Sequence, residues 1–173
     1  RDFVLKYALS GADNAAAMLL HDDERGAYYS MLLEPKRVVR PEEIQARELV
    51  FVLDASCSMA GAPLELSKAL VGRMLELARP SDRYRVIVFG SSATELNRGA
   101  LAPTPENLAE TRAQLAALND QGGTEIELAL KAALSPKVEG NRLRMVLFLT
   151  DGFIGDEASV MATIRAQRAG ARL

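Results

Sequence analysis

Three stretches of the chain are almost continuously apolar and rich in β-formers: LVFVL at residues 49 to 53, RVIVF at 85 to 89 and MVLFL at 145 to 149. A strand without polar alternation is buried on both faces, as in a parallel sheet covered by helices. The segments between them change period. Leu66, Leu70, Met74 and Leu77 recur at helical spacing within residues 64 to 78, and Arg79-Pro80 ends the run. Thr104-Pro105-Glu106 predicts a helix start, with a hydroxyl N-cap followed by proline at the first helical position. Leu108, Leu115 and Leu118 give that helix an apolar face, and Ile126, Leu130 and Leu134 mark a shorter helix after Gly122-Gly123-Thr124. A last helix is expected from about Glu157 to Ala169 with Gly170 as its stop, and Ala171-Arg172-Leu173 reads as the start of another strand. This alternation predicts an α/β fold: a doubly wound, mostly parallel Rossmann-like sheet flanked by helices. Because the chain stops as a strand begins, the sheet is expected to lack its final elements.

The first part of the chain has another pattern. AAAMLL and YYSMLL flank the polar patch HDDERG with Gly26, which predicts a β-hairpin. EPKRVVRPEEIQAR follows, charged and carrying Pro35 and Pro41, and reads as a linker. Residues 1–46 are therefore expected to be a β-rich appendage plus linker, and residues 47–173 the α/β domain. Length and composition agree: 173 residues, 49% hydrophobic and 25% charged, suit one soluble domain with a real core and a small appendage. A net charge of −2 implies no bulk attraction to nucleic acid or an anionic membrane, and no apolar stretch is long enough to span a bilayer. The single cysteine forbids an internal disulfide. The chain begins at Arg1 rather than Met, which reads as a fragment whose targeting is not legible.

Chemistry is expected beyond the carboxyl ends of the strands, where open α/β sheets place their sites. The first apolar strand runs into DASCSM, residues 54 to 59, and the last into Thr150-Asp151-Gly152. In an extended stretch, alternate residues point the same way, so Asp54, Ser56 and Ser58 are expected to converge while Cys57 faces elsewhere. With Thr124 and Asp151 they make a set of hard oxygens without imidazole. Such a set suits Mg²⁺, which takes near-octahedral oxygen coordination and keeps some waters. Hydroxyls in the inner shell would leave the ion much of its charge, favouring a carboxylate supplied by a partner. Each residue also has a simpler reading: Asp54 as an N-cap or turn residue, Ser56 and Ser58 as loop serines serving backbone groups, Thr124 as a helix N-cap, and Asp151-Gly152 as a turn. Cys57 reads as a small, semi-buried apolar residue, since SMAGAPLE offers neither an activating base nor a second thiol. His21 and the Asp22-Asp23-Glu24 run read as a solvated turn, and Arg142 and Arg144 as surface charges flanking a strand.

DASCSM, GGT and LTDG, in this order and at these strand ends, resemble the von Willebrand factor type A domain with its metal-ion-dependent adhesion site. The resemblance covers about residues 48 to 173. It implies direct metal contacts from Ser56 and Ser58, direct or water-mediated contacts from Thr124 and Asp151, and a water-mediated role for Asp54. It further implies Mg²⁺, with Mn²⁺ or Ca²⁺ as possible substitutes, and a protein ligand contributing an acidic group. The family usually has glycine where Cys57 stands. The order RDFVL, a short β-rich segment and then this domain is similar to proteins with a vault/inter-alpha-trypsin module before a type A domain, such as inter-alpha-trypsin inhibitor heavy chains. That implies residues 1–46 as the tail of such a module, and a location outside the cell or at its envelope.

Enzyme readings each lack a required group. A serine hydrolase needs a nearby base, and the one histidine, His21, lies in another segment. A nucleophile elbow needs glycine at positions 54 and 58. A phosphoaspartyl phosphatase wants a second acid where Ser56 stands, and no P-loop is present. The expected function is thus a non-enzymatic, metal-dependent protein-binding module. The alternatives are a Mg²⁺-dependent hydrolase or phosphatase, or a structural domain with an empty site.

Overall fold

The computed structural model describes residues 13–36, 38–152 and 157–167. The chain divides into two compact units between Ile44 and Gln45. In the first, β1 (Ala15–Asp23) and β2 (Gly26–Glu34) pair antiparallel around a Glu24-Arg25 turn, the hairpin that the sequence predicts. Its strands run further into the polar patch than expected: His21 sits in β1 opposite Tyr28, still exposed. Arg25 closes the tip, donating from its backbone N–H and guanidinium to Asp23 at 2.8 and 3.2 Å. The charged segment that follows holds one 3₁₀ turn, Pro41–Glu43, where Lys36 and then Arg40 lower the Glu43 carboxyl to about 2.

The second unit is built on a sheet of β3 (Arg47–Asp54), β4 (Arg83–Phe89), β5 (Ala93–Glu95) and β6 (Leu143–Leu149), in spatial order β5-β4-β3-β6. β3 runs parallel to β4 and β6, while β5 is an antiparallel edge. The sequence reading missed β5, because three residues are too few to show a period of two. β3 and β4 are buried on both faces for the expected reason, whereas β6, at the edge of the sheet among the described residues, is only partly buried, with Met145 exposed. Leu49, Phe51 and Leu53 of β3, with Val86 and Val88 of β4, pack against α1 (Ala62–Glu76) and α2 (Pro105–Ala116). Val50, Val52, Ile87 and Phe89 pack on the opposite side against α3 (Ile126–Leu134) and α4 (Glu157–Gln167). The positions beyond Gln167, including the expected helix end at Ala169, stop at Gly170 and strand at 171–173, fall outside the described residues.

The α2 start is as predicted, with the Thr104 hydroxyl accepting the Asn107 N–H at 3.3 Å. α1 is a correction. Its buried stripe is Leu64, Val71 and Leu75; of the expected set Met74 packs partly buried against the same core, whereas Leu66, Leu70 and Leu77 are exposed. Both sets fit a helical period, and packing against β3 and β4 decided between them. Arg144 is a second correction. It is 4% exposed, and it donates to Glu48 at 2.7 and 3.1 Å and to the Leu134 carbonyl at 2.9 Å. Arg142 is half-buried and donates to the Glu139 carbonyl at 2.8 Å. From β4, Arg85 pairs with Glu95 and reaches the Ala132 carbonyl at 2.9 Å. Two guanidinium groups thus meet the carboxyl end of α3, where the helix dipole favours positive charge.

This strand order sets where a site belongs. From β3 the chain crosses to β4 on one side, then returns past β3 to β6 on the other. The connections diverge at the carboxyl end of β3, which is the switch point where α/β sheets open a crevice. Asp54 is the last residue of β3.

Candidate metal centre

The register brings three strand exits to one level. Asp54 is paired with Phe89, and Leu53 with Leu149, so Ala55, Gly90 and Thr150 leave the sheet together. Asp54 is 1% exposed. Its Oδ1 accepts the Ser56 N–H at 2.8 Å, and its Oδ2 accepts the Thr150 hydroxyl at 2.8 Å. Thr150 in turn accepts the Gly152 N–H at 3.3 Å, which ties the turn carrying Asp151 to Asp54. Sequence reasoning passed over Thr150, although a hydroxyl beside Asp151 at a strand end was a usable signal.

Ser56 and Ser58 do converge, with their hydroxyl oxygens 3.1 Å apart. The cause differs from the one expected. Only Ser56 is extended, at φ −64° and ψ 164°, and the chain then enters a 3₁₀ turn over Cys57–Met59. A tight turn, rather than strand parity, brings the hydroxyls together. Ser56 stands at the N-cap of that turn but makes no side-chain capping bond, so its simpler reading as a backbone-serving serine does not apply. Cys57 is exposed rather than semi-buried, because the same turn lifts it outward; its N–H donates to the Gly122 carbonyl at 2.9 Å.

Thr124 lies in the loop between α2 and α3, and Glu125 rather than Thr124 occupies the N-cap of α3. The loop is stitched to the strand exits by backbone bonds. Gln121 N–H donates to the Ala55 carbonyl at 2.6 Å, Ser91 N–H to Gln121 at 3.1 Å, and Glu125 N–H to Gly90 at 2.8 Å. Thr124 and Asp151 are both exposed. The structure therefore joins Asp54, Ser56 and Ser58 by hydrogen bonds, and anchors the loops of Thr124 and Asp151 to the same strand exits.

The donor set suits a hard cation. Among the described residues, no group of three or more His, Cys, Asp or Glu side chains forms a metal cluster, so a cation here would rest on hydroxyls as much as carboxylates. The buried acids also differ in their partners. Glu48 faces Arg144, and Asp82, fully buried, faces Arg47 and Arg79. Among the described residues, Asp54 faces no Lys, Arg or His and holds only two neutral donors. A buried carboxylate without a counter-charge is costly, and a bound cation removes that cost.

The sequence profile of the von Willebrand factor type A domain matches residues 49–153, well over half of the chain. The chain belongs to the von Willebrand factor type A family. Within this family it is similar to inter-alpha-trypsin inhibitor heavy chain H3 of Homo sapiens, at 32% identity over 114 residues, which is 61% of this chain and 13% of that protein. A von Willebrand factor A domain-containing protein of Dictyostelium discoideum is 30% identical over 124 residues, covering 70% of this chain and 13% of its own length. The chain thus spans a small part of these relatives. Among solved structures, a von Willebrand factor type A protein from Catenulispora acidiphila superposes with a TM-score of 0.69 at 14% identity, over 96% of this chain and 40% of that one. The type A fold is thereby shown: a mostly parallel sheet flanked by helices, with an antiparallel hairpin preceding it.

Proposed function

We propose that this type A domain is a non-enzymatic, metal-dependent protein-binding module. Ser56, Ser58, Thr124 and Asp151 would hold Mg²⁺ at the carboxyl edge of the sheet, with Asp54 acting through water. The observation that carries this reading is Asp54, the buried acid at the switch point whose partners among the described residues are all neutral. The Ser56 and Ser58 hydroxyls support it, being 3.1 Å apart with no cap formed by Ser56. When bound, Mg²⁺ supplies a Lewis-acidic point charge for an anionic group. Largely neutral hydroxyl donors leave that charge incompletely cancelled, so the favoured partner is a protein offering a carboxylate. Mn²⁺ or Ca²⁺ would fill the same oxygen set less selectively. The domain would act outside the cell or at its envelope, with residues 1–46 as the tail of a preceding vault/inter-alpha-trypsin-type module.

Titration calorimetry with Mg²⁺ and Mn²⁺ tests the metal. We expect saturable binding to the wild type and its loss in Ser58→Ala and Asp151→Ala, both measured against a chelated control. A wild type that takes up neither ion refutes the reading.

A further inference from the structure

The loop carrying Thr124 is held from the far side by a residue that no metal-binding pattern includes. Ser91, immediately beyond β4, accepts the Gly123 N–H on its hydroxyl at 2.8 Å. Lys68 Nζ holds the start of the α2–α3 loop, donating to the Leu118 carbonyl at 2.6 Å. Among the described residues, the other bonds tying residues 121–125 to the strand exits run between backbone groups: Gln121 to Ala55, Cys57 to Gly122, Ser91 to Gln121, and Glu125 to Gly90. At residues 121–125 the Ser91 hydroxyl is the side-chain stitch among the described residues, and it falls on the residue directly before Thr124.

The packing around this stitch is close. A Cβ on Gly122 would meet Ser91 Oγ at 2.8 Å, and one on Gly123 would meet it at 3.2 Å. Gly122 also has φ +85°, a conformation that disfavours a side chain. On the other side, a Cβ on Gly90 would strike Gln121 Cβ at 2.7 Å and the Gln121 carbonyl oxygen at 2.9 Å. Glycines at 90, 122 and 123 therefore let the two loops approach, and Ser91 fixes the approach with a directional bond. Gly122 also accepts from Cys57, inside the turn that brings Ser56 and Ser58 together. The Ser91 contact thus lies one bonded step from each side of the centre: Thr124 through Gly123, and the serine turn through Gly122.

We propose that Ser91 is a positioning residue for the metal centre, its hydroxyl holding the 121–125 loop so that Thr124 stays in register with the Ser56–Ser58 turn. This rests on the metal-binding reading above. Loss of an outer partner of a metal ligand weakens affinity about ten- to a hundredfold, and Ser91 acts through one neutral hydrogen bond, so the low end applies.

The test is Mg²⁺ affinity by calorimetry for wild type, Ser91→Ala and Ser91→Thr, with amide hydrogen exchange at Gly123 and Thr124 in the metal-free proteins. We expect Ser91→Ala to bind roughly tenfold more weakly and to exchange faster at both amides, with Ser91→Thr, which keeps the hydroxyl, restoring both. Ser91→Ala with wild-type affinity overturns the proposal. So does an equal loss in Ser91→Thr, because the hydroxyl is then not the cause. If the wild type binds no metal, the metal reading fails, and exchange alone judges the positioning: unchanged exchange in Ser91→Ala refutes it, and faster exchange upholds the loop restraint.

Discussion

Replacing Asp54 by asparagine separates a binding residue from a structural one. The amide side chain would keep both local bonds: its oxygen accepts the Ser56 N–H, and its NH₂ donates to a Thr150 hydroxyl turned the other way. Both bonds are 2.8 Å long with the carboxylate. What disappears is a negative charge that is 1% exposed and faces no cation among the described residues. Desolvating such a charge costs several kcal/mol, and two charge-assisted bonds return about 1.5–3 kcal/mol each. Asparagine escapes most of the desolvation cost and keeps the two bonds as neutral ones worth about 0.5–1.5 kcal/mol each. Gains and losses nearly cancel, so metal-free Asp54→Asn should lie within about 1 kcal/mol of wild type, or ~2–4 °C in Tm for a chain of this size. Metal separates the two proteins. A ligand at a hundred times its Kd stabilises the folded state by about 2.7 kcal/mol, and Asp54→Asn should gain little of this. The assay is thermal unfolding by circular dichroism, with EDTA and then with saturating Mg²⁺, on both proteins. A metal-free Asp54→Asn less stable than wild type by more than about 1 kcal/mol would refute the reasoning, because Asp54 would then serve to hold the strand ends.

Two further predictions concern the buried charges that do have partners. Arg144→Leu strands Glu48 and should cost about 3–5 kcal/mol in urea unfolding, while the double variant Glu48→Leu/Arg144→Leu should recover most of it, as expected when a buried pair is removed whole. Burial by itself would raise the Asp82 carboxyl, but hydrogen bonds from Arg47 and then Arg79 outweigh it and hold the group below the usual carboxylate range. Its stabilisation is therefore complete above the unfolded-state value near 4, roughly, and is lost as pH falls through the lower folded value, where the unfolded chain binds more protons. Asp82→Asn should lower stability at neutral pH and flatten the acid limb below about pH 4, measured as unfolding free energy against pH.

The extent to which the sequence was legible follows from the range of the interactions involved. β3 and β4 were readable because their inner runs, 49–53 and 86–89, are buried on both faces and so hold no polar residue, β6 because its run at 145–149 is equally apolar although partly exposed, and the α2 start because capping is local chemistry. The hydroxyl and carboxylate residues at the strand ends stood out for the same reason: their types and order are one-dimensional facts. The buried stripe of α1 was not legible. Leu64, Val71 and Leu75 and the exposed Leu66, Leu70 and Leu77 satisfy one helical period equally, and only docking on the sheet chose between them. Arg144 read as a surface charge because its partner, Glu48, is 96 positions away.

The sequence by itself determined the apolar strands, the helices between them and the oxygen-bearing residues at their ends, since propensity, period and residue chemistry act over a few positions. Tertiary structure alone decided how those oxygens meet. The parallel register levels Asp54 with the β4 and β6 exits, and a 3₁₀ turn brings Ser56 and Ser58 together and exposes Cys57. The contact of Gly90 and Ser91 with Gln121, Gly122 and Gly123 places the loop of Thr124. Each depends on segments distant in the chain packing to contact, so no short window of residues contains it.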